Sequence, residues 1–159
     1  MPVSPLGPPV MSDHSRAKVM AIISNPKLAM DVIGLGKPDA MIAVVDRLER
    51  GDVVGILPDR SITGESQVRY PFLGAPAAFP LGPFRVAALL KRPVLLMFGI
   101  YRGGRRYDIH FETLIDPSDP AARRRAEDAE TAMRLYVERL EHYCRMAPFN
   151  WFNFYDFWA

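Results

Sequence analysis

The chain has 159 residues, of which 49% are hydrophobic and 24% charged, enough for one domain with a core of ordinary size. Its formal net charge is only +2, and with no recognition motif this does not argue for nucleic acid, though it suits an anionic membrane surface or an acidic protein partner. Cys144 is the single cysteine, which excludes an internal disulfide and fits a reducing compartment; no apolar run reaches the ~18 residues that cross a bilayer.

In chain order, "MPVSPLGPPV" carries four prolines in ten residues and lacks a basic stretch followed by an apolar core. It reads as a disordered or extended arm over residues 1–11, not a signal peptide. "SDHSRAKVMAII" can start a short helix capped by Ser12 or Asp13. "AMDVIGL" reads as a strand ending at Gly34 and Gly36. "PDAMIAVVDRLERG" predicts a helix with Pro38 in its first turn, an inner face of Met41, Val44, Val45 and Leu48, and Gly51 as its stop. "DVVGILP" is apolar on both faces, as a buried parallel strand requires.

"GPFRVAALLKR" predicts a second short helix and "PVLLMFGIY" another apolar strand. "RGGRR" is a turn and "YDIHFETLI" an alternating strand, so a hairpin closes there. From about Asp119 to Met146 the pattern is a long amphipathic helix with Met133, Val137, Leu140 and Cys144 inward and Tyr136 and Tyr143 beside them. Strands alternating with helices predict an α/β fold: a mainly parallel sheet flanked by helices, with a C-terminal hairpin and long helix. Sites in such sheets collect beyond the carboxyl ends of strands. Asp59 and Arg60 stand at that place after "VVGIL", where two charges either cap a solvated turn or build a site.

The blocks "GDVVGILPDR", "VRYPFLGAPAAFPLGPFRVAALLKRPVLLMFGIYR", "RYDIHFETL" and "CRMAPFNWFNFYDFW" follow one another in an order and spacing that resemble the late acyltransferases of bacterial lipid A biosynthesis, in the lysophospholipid acyltransferase superfamily. The likeness runs from about residue 12 to the end, so residues 12–159 correspond to the C-terminal part of a single acyltransferase domain. It implies transfer of a fatty acyl group from acyl carrier protein or coenzyme A to a hydroxyl or amine of a membrane lipid, by a protein peripheral to the cytoplasmic face of the bacterial inner membrane. It implies no cofactor.

In that family a histidine followed five positions later by Asp or Glu removes the acceptor's proton. The histidines here are His14, His110 and His142, followed at that distance by Val19, Ile115 and Ala147. The resemblance therefore implies that the His-acid half lies outside this sequence, through truncation or on another chain, and that this chain alone is inactive. A non-catalytic module that binds lipid or carrier protein is the alternative. "LPDR" matches the block at the floor of the acceptor site. Asp59 would be the catalytic-site carboxylate that orients the acceptor or steadies neighbouring basic groups, Arg60 would hold an anionic headgroup or phosphate, and Pro71, Phe72 and Gly74 would shape the corner of the acyl groove.

Seven aromatics fall between Phe149 and Trp158, too many to leave in water. They either fold back to fill a groove or anchor the chain at a membrane interface. Asp156 stands among them where many lipid A acyltransferases carry a basic pattern, which is closer to relatives associated with aryl polyenes and other lipid-linked pigments. Arg85, Lys91, Arg92, Arg102, Arg105 and Arg106 cluster around two strands, either as solvated surface or as a docking face for an acidic carrier protein or lipid phosphates. "ARRRAEDAE" reads as a charged helix face. Cys144, in a helical pattern, reads as a buried inert thiol. His110 has no partner at metal-ligand spacing, so no metal is expected, and there is neither a phosphate-binding glycine loop nor a Gly-x-Ser-x-Gly elbow.

Overall fold

The computed structural model describes residues 33, 40–59, 66–118, 128–153 and 155–159. The arm at 1–11, the helix at 12–23, the strand at 29–35 apart from Ile33, His14, Pro38, Arg60, Phe154, and residues 119–127, where the last helix is expected to begin, lie outside them. The chain divides into two units between Leu57 and Pro58.

The first unit contains helix α1, Ala40–Glu49. Its end is a Schellman motif: the Gly51 N–H donates to Leu48 O (3.1 Å) and the Asp52 N–H to Arg47 O (3.0 Å). Gly51 adopts φ 81°, the left-handed conformation this motif needs at that position, so the predicted stop stands. Val44, on the predicted inner face, is buried. Residues 52–57, expected as a buried parallel strand, form no strand, and Val53, Ile56 and Leu57 are exposed. Apolar composition alone does not make a strand, and among the described residues no strand pairs with this segment.

The second unit runs β1 (Gln67–Phe72), β2 (Ala75–Pro80), α2 (Gly82–Leu90), β3 (Val94–Tyr101), β4 (Tyr107–Ile115), α3 (Ala129–Met146) and a 3₁₀ turn (Pro148–Asn150). Among the described residues the strands pair as two antiparallel hairpins, β1 with β2 and β3 with β4. The architecture is mixed α/β, and the expectation of a mainly parallel sheet is corrected. The reason is connection length: Leu73–Gly74 joins β1 to β2 and residues 102–106 join β3 to β4. A parallel crossover needs about a dozen residues or more.

Sequence reading missed β1 and β2 because Pro71, Pro76 and Pro80 look like strand breakers. The register explains their tolerance. Phe72 pairs with Ala75 across the turn, so the next pair, Pro71 with Pro76, falls where an antiparallel ladder makes no hydrogen bond, and Gln67 with Pro80 repeats that phase. Leu73 and Gly74 both have positive φ (51° and 95°), as a tight type I′ hairpin requires. The alternation turns Val68, Tyr70 and Phe72 inward with Ala77 and Phe79 opposite.

The second hairpin turns Leu96, Phe98 and Ile100 toward α3, with His110 and Glu112 opposite. A bulge at Val94/Leu95 lets both Leu114 and Ile115 be buried. Asp128 caps α3, accepting from the Glu130 N–H (3.1 Å) and from the Thr131 hydroxyl. Every residue of the predicted inner stripe, Met133, Val137, Leu140 and Cys144, is buried, with Tyr136 and Tyr143 beside them. The core between α3 and the hairpins is completed by the tail. Phe72, 0% exposed, has Phe79, Trp151 and Phe157 around it at ring distances of 5.6, 5.2 and 5.6 Å.

Candidate active site

Asp59 lies at the start of the second unit, half-buried in a turn. Its backbone carbonyl accepts from the Tyr155 hydroxyl (3.2 Å), which ties the segment to the tail. Its charge is felt on α3. Burial first, and then the Asp59 carboxylate, hold the Tyr136 hydroxyl well above the ordinary tyrosine range. Burial pushes the Cys144 thiol up to about 11, with the Glu141 and Asp59 charges adding to it. The thiol is therefore protonated at neutral pH and is no nucleophile.

Of the residues assigned to the groove corner, Pro71 is exposed, Phe72 is in the core, and Gly74 is exposed in the turn. The corner is held to α3 by the Leu73 N–H donating to Glu141 Oε2 (3.2 Å). Asp59 and this corner thus border the same helix, Asp59 on the side of Tyr136 and Cys144 and the corner at Glu141. No ion pair forms at Asp59 among the described residues.

Sequence reading missed a buried charge cluster. Glu112 on β4, 9% exposed, accepts two hydrogen bonds from Arg139 (Nε and Nη2, both 2.5 Å) and one from the Tyr143 hydroxyl (2.6 Å). Burial works to raise the Glu112 carboxyl, but the hydrogen bonds from Arg139 and Tyr143 and the Arg139 charge outweigh it and hold it below the usual carboxylate range. Tyr143, by burial and by its bond to Glu112, is pushed up to about 12. Its ring stacks on Phe98 (4.2 Å) and has His110 beside it (5.1 Å). His110 Nε2 is buried and has no hydrogen-bond partner among the described residues. The signal was present in "DIHFET", where His110 and Glu112 occupy the face of the strand that Leu114 continues.

Between β3, α3 and the tail lies a small apolar cleft of ≈ 70 Å³, lined by Phe98, Ile100, Leu140, Tyr143, Cys144 and Trp151 among others. That is far below the roughly 300–1,000 Å³ of pockets that enclose a drug-sized ligand. The six basic residues form two groups. Arg85, Lys91 and Arg92 stand on and after α2, while Arg102, Arg105 and Arg106 stand at the tip between β3 and β4. The length of β3, roughly 23 Å at ~3.3 Å per residue, separates Arg92 from the tip.

The described residues hold no cluster of three or more His, Cys, Asp or Glu that could bind a metal ion. No helix among them is long and apolar enough to cross a membrane. Neither His110 nor His142 is hydrogen-bonded to a carboxylate among the described residues.

Residues 17–159 match the family described as bacterial lipid A biosynthesis acyltransferase, and the chain belongs to that family. A search of curated proteins found no match.

Proposed function

We propose that this chain supplies the acceptor side of an acyl transfer at the cytoplasmic face of the bacterial inner membrane, which it meets peripherally. A fatty acyl thioester of acyl carrier protein or coenzyme A is the donor, and a hydroxyl or amine of a membrane lipid is the acceptor. In the transfer, the acceptor gives its proton to a general base, its oxygen or nitrogen bonds to the thioester carbonyl carbon, the carbon–sulfur bond breaks, and the thiol leaves protonated. The base comes from residues other than His110 and His142, which lack the carboxylate partner the chemistry needs. Asp59 orients the acceptor and Arg60 holds an anionic headgroup or phosphate. Pro71 and Gly74 edge the acyl groove, and Phe72 fixes that corner from beneath.

The observation that carries this reading is the position of Asp59 beside α3 in a chain whose residues 17–159 belong to an acyltransferase family. With a family His-acid segment supplied, Asp59→Ala lowers transfer of a labelled acyl group by roughly 10²-fold, the scale of a positioned catalytic group. The melting temperature stays unchanged, because a half-exposed turn carboxylate contributes little packing. An Asp59→Ala protein at full rate would make "LPDR" a turn and nothing more. The alternative, a non-catalytic module that binds lipid or carrier protein, draws on the absence of a His–carboxylate hydrogen bond among the described residues. It forecasts lipid or carrier binding with no turnover even when the segment is supplied.

A further inference from the structure

We propose that the tip of the β3–β4 hairpin and the turn after α3 form one lipid-facing surface that seats on the headgroup layer of an anionic bilayer. This rests on the reading that the protein works on a membrane lipid, and it names the surface that makes the contact.

The tip is built rigidly. Gly103 and Gly104 reverse the chain at φ 92° and 61°, and the Arg102 N–H to Arg106 O bond (2.9 Å) closes the loop. The Tyr101 hydroxyl donates to Gly104 O (3.3 Å), and the Tyr101 and Tyr107 rings lie 5.2 Å apart, both exposed. The Tyr101 N–H donates to Asn150 Oδ1 (2.6 Å), which pins the Pro148–Asn150 turn to the end of β3. That turn presents Phe149, 92% exposed.

Three exposed rings and a cluster of guanidinium groups therefore lie at one end of the β3–β4 hairpin. Arg102 is paired with Asp108 (2.7 Å), whereas Arg105 and Arg106 have no acidic partner among the described residues. Amphipathic rings beside unpaired cations match the chemistry of a membrane interface: rings sit at the headgroup level and cations meet lipid phosphates. An acidic protein partner would answer the charge but not Phe149. That ring protrudes and would need a matching pocket in a rigid partner, whereas a fluid interface takes up a convex tip of any shape.

The test is flotation of the full chain with vesicles of phosphatidylcholine and phosphatidylglycerol, and with phosphatidylcholine alone. The parent floats with the anionic vesicles and much less with the neutral ones. Reversing both cations (Arg105→Glu with Arg106→Glu) lowers partitioning by about tenfold or more, since each basic residue near an anionic surface contributes a several-fold gain. Phe149→Ser also weakens it. Leu89→Ser, an exposed apolar site on α2, leaves it unchanged, and all variants melt with the parent.

A parent that floats while the tip variants float equally well overturns this surface and leaves membrane action standing. A parent that never floats overturns both. Charge reversal that spares flotation but abolishes capture by acyl carrier protein makes the tip a protein-docking site and also defeats the proposal.

Discussion

Deleting residues 149–159 unfolds the second unit, and the shortened chain gives no cooperative melting transition. The tail is part of the core. Phe157 is buried against Phe72 (5.6 Å) and Phe79 (5.5 Å), Trp151 meets Phe72 edge-on at 5.2 Å, and the Trp158 indole N–H donates to Phe72 O (3.2 Å). Losing one buried Phe or Trp side chain costs roughly 3–5 kcal/mol. Removing the set therefore approaches the whole stability of a domain, about 5–15 kcal/mol. Circular dichroism during heating reads the outcome. A shortened chain that melts cooperatively at the full-length temperature would show that the tail is not part of the core. Phe149→Ser, at an exposed site, is the control and melts as the parent does.

The same tail shows what the sequence could and could not reveal. Its aromatic density announced burial or membrane contact, and the structure divides it: Trp151 and Phe157 pack inward, while Phe149, Phe152 and Tyr155 are exposed. β4 and the α3 stripe were legible because each repeats a short period, two in the strand and 3.6 in the helix, and β3 was legible as an apolar run before the Gly-Gly turn that closes the hairpin. The β1–β2 hairpin was hidden, since its prolines are harmless only in a register that pairs them at non-bonded positions. "DVVGIL" was misread because apolar runs promise a strand only if partners exist. Asp59 was singled out as following a strand at 52–57 that does not form. In the Glu112–Arg139–Tyr143 cluster the strand face bearing Glu112 was legible in "DIHFET", but its partners were not, since they meet it across 27 and 31 positions of chain.

Arg139→Leu costs roughly 3 kcal/mol at pH 7, the low end for breaking a buried ion pair because Arg139 itself reaches solvent. The loss comes from Glu112, left buried with Tyr143 alone. In the parent, the Glu112 carboxyl lies below its ordinary range, so it contributes stability above the unfolded-state value and loses it as pH falls through the folded-state one. In the variant, burial acts unopposed by Arg139 and moves the carboxyl upward. The variant is therefore most deficient near neutral pH, and its deficit shrinks as the medium turns acidic enough to protonate Glu112. Urea unfolding of both proteins at neutral and acid pH measures the difference. A deficit independent of pH would mean that Arg139 acts through packing and not through the carboxylate.

This member of an acyltransferase family is proposed to contribute the acceptor side of the reaction but not the base. The decisive assay is transfer of a labelled acyl group from acyl carrier protein or coenzyme A to total bacterial lipid, by the chain alone and by the chain with a family His-acid segment supplied. No turnover above a buffer blank is expected for the chain alone, and turnover is expected with the segment present. Turnover by the chain alone would refute the division of labour and would return His14 or His110 to consideration as the base.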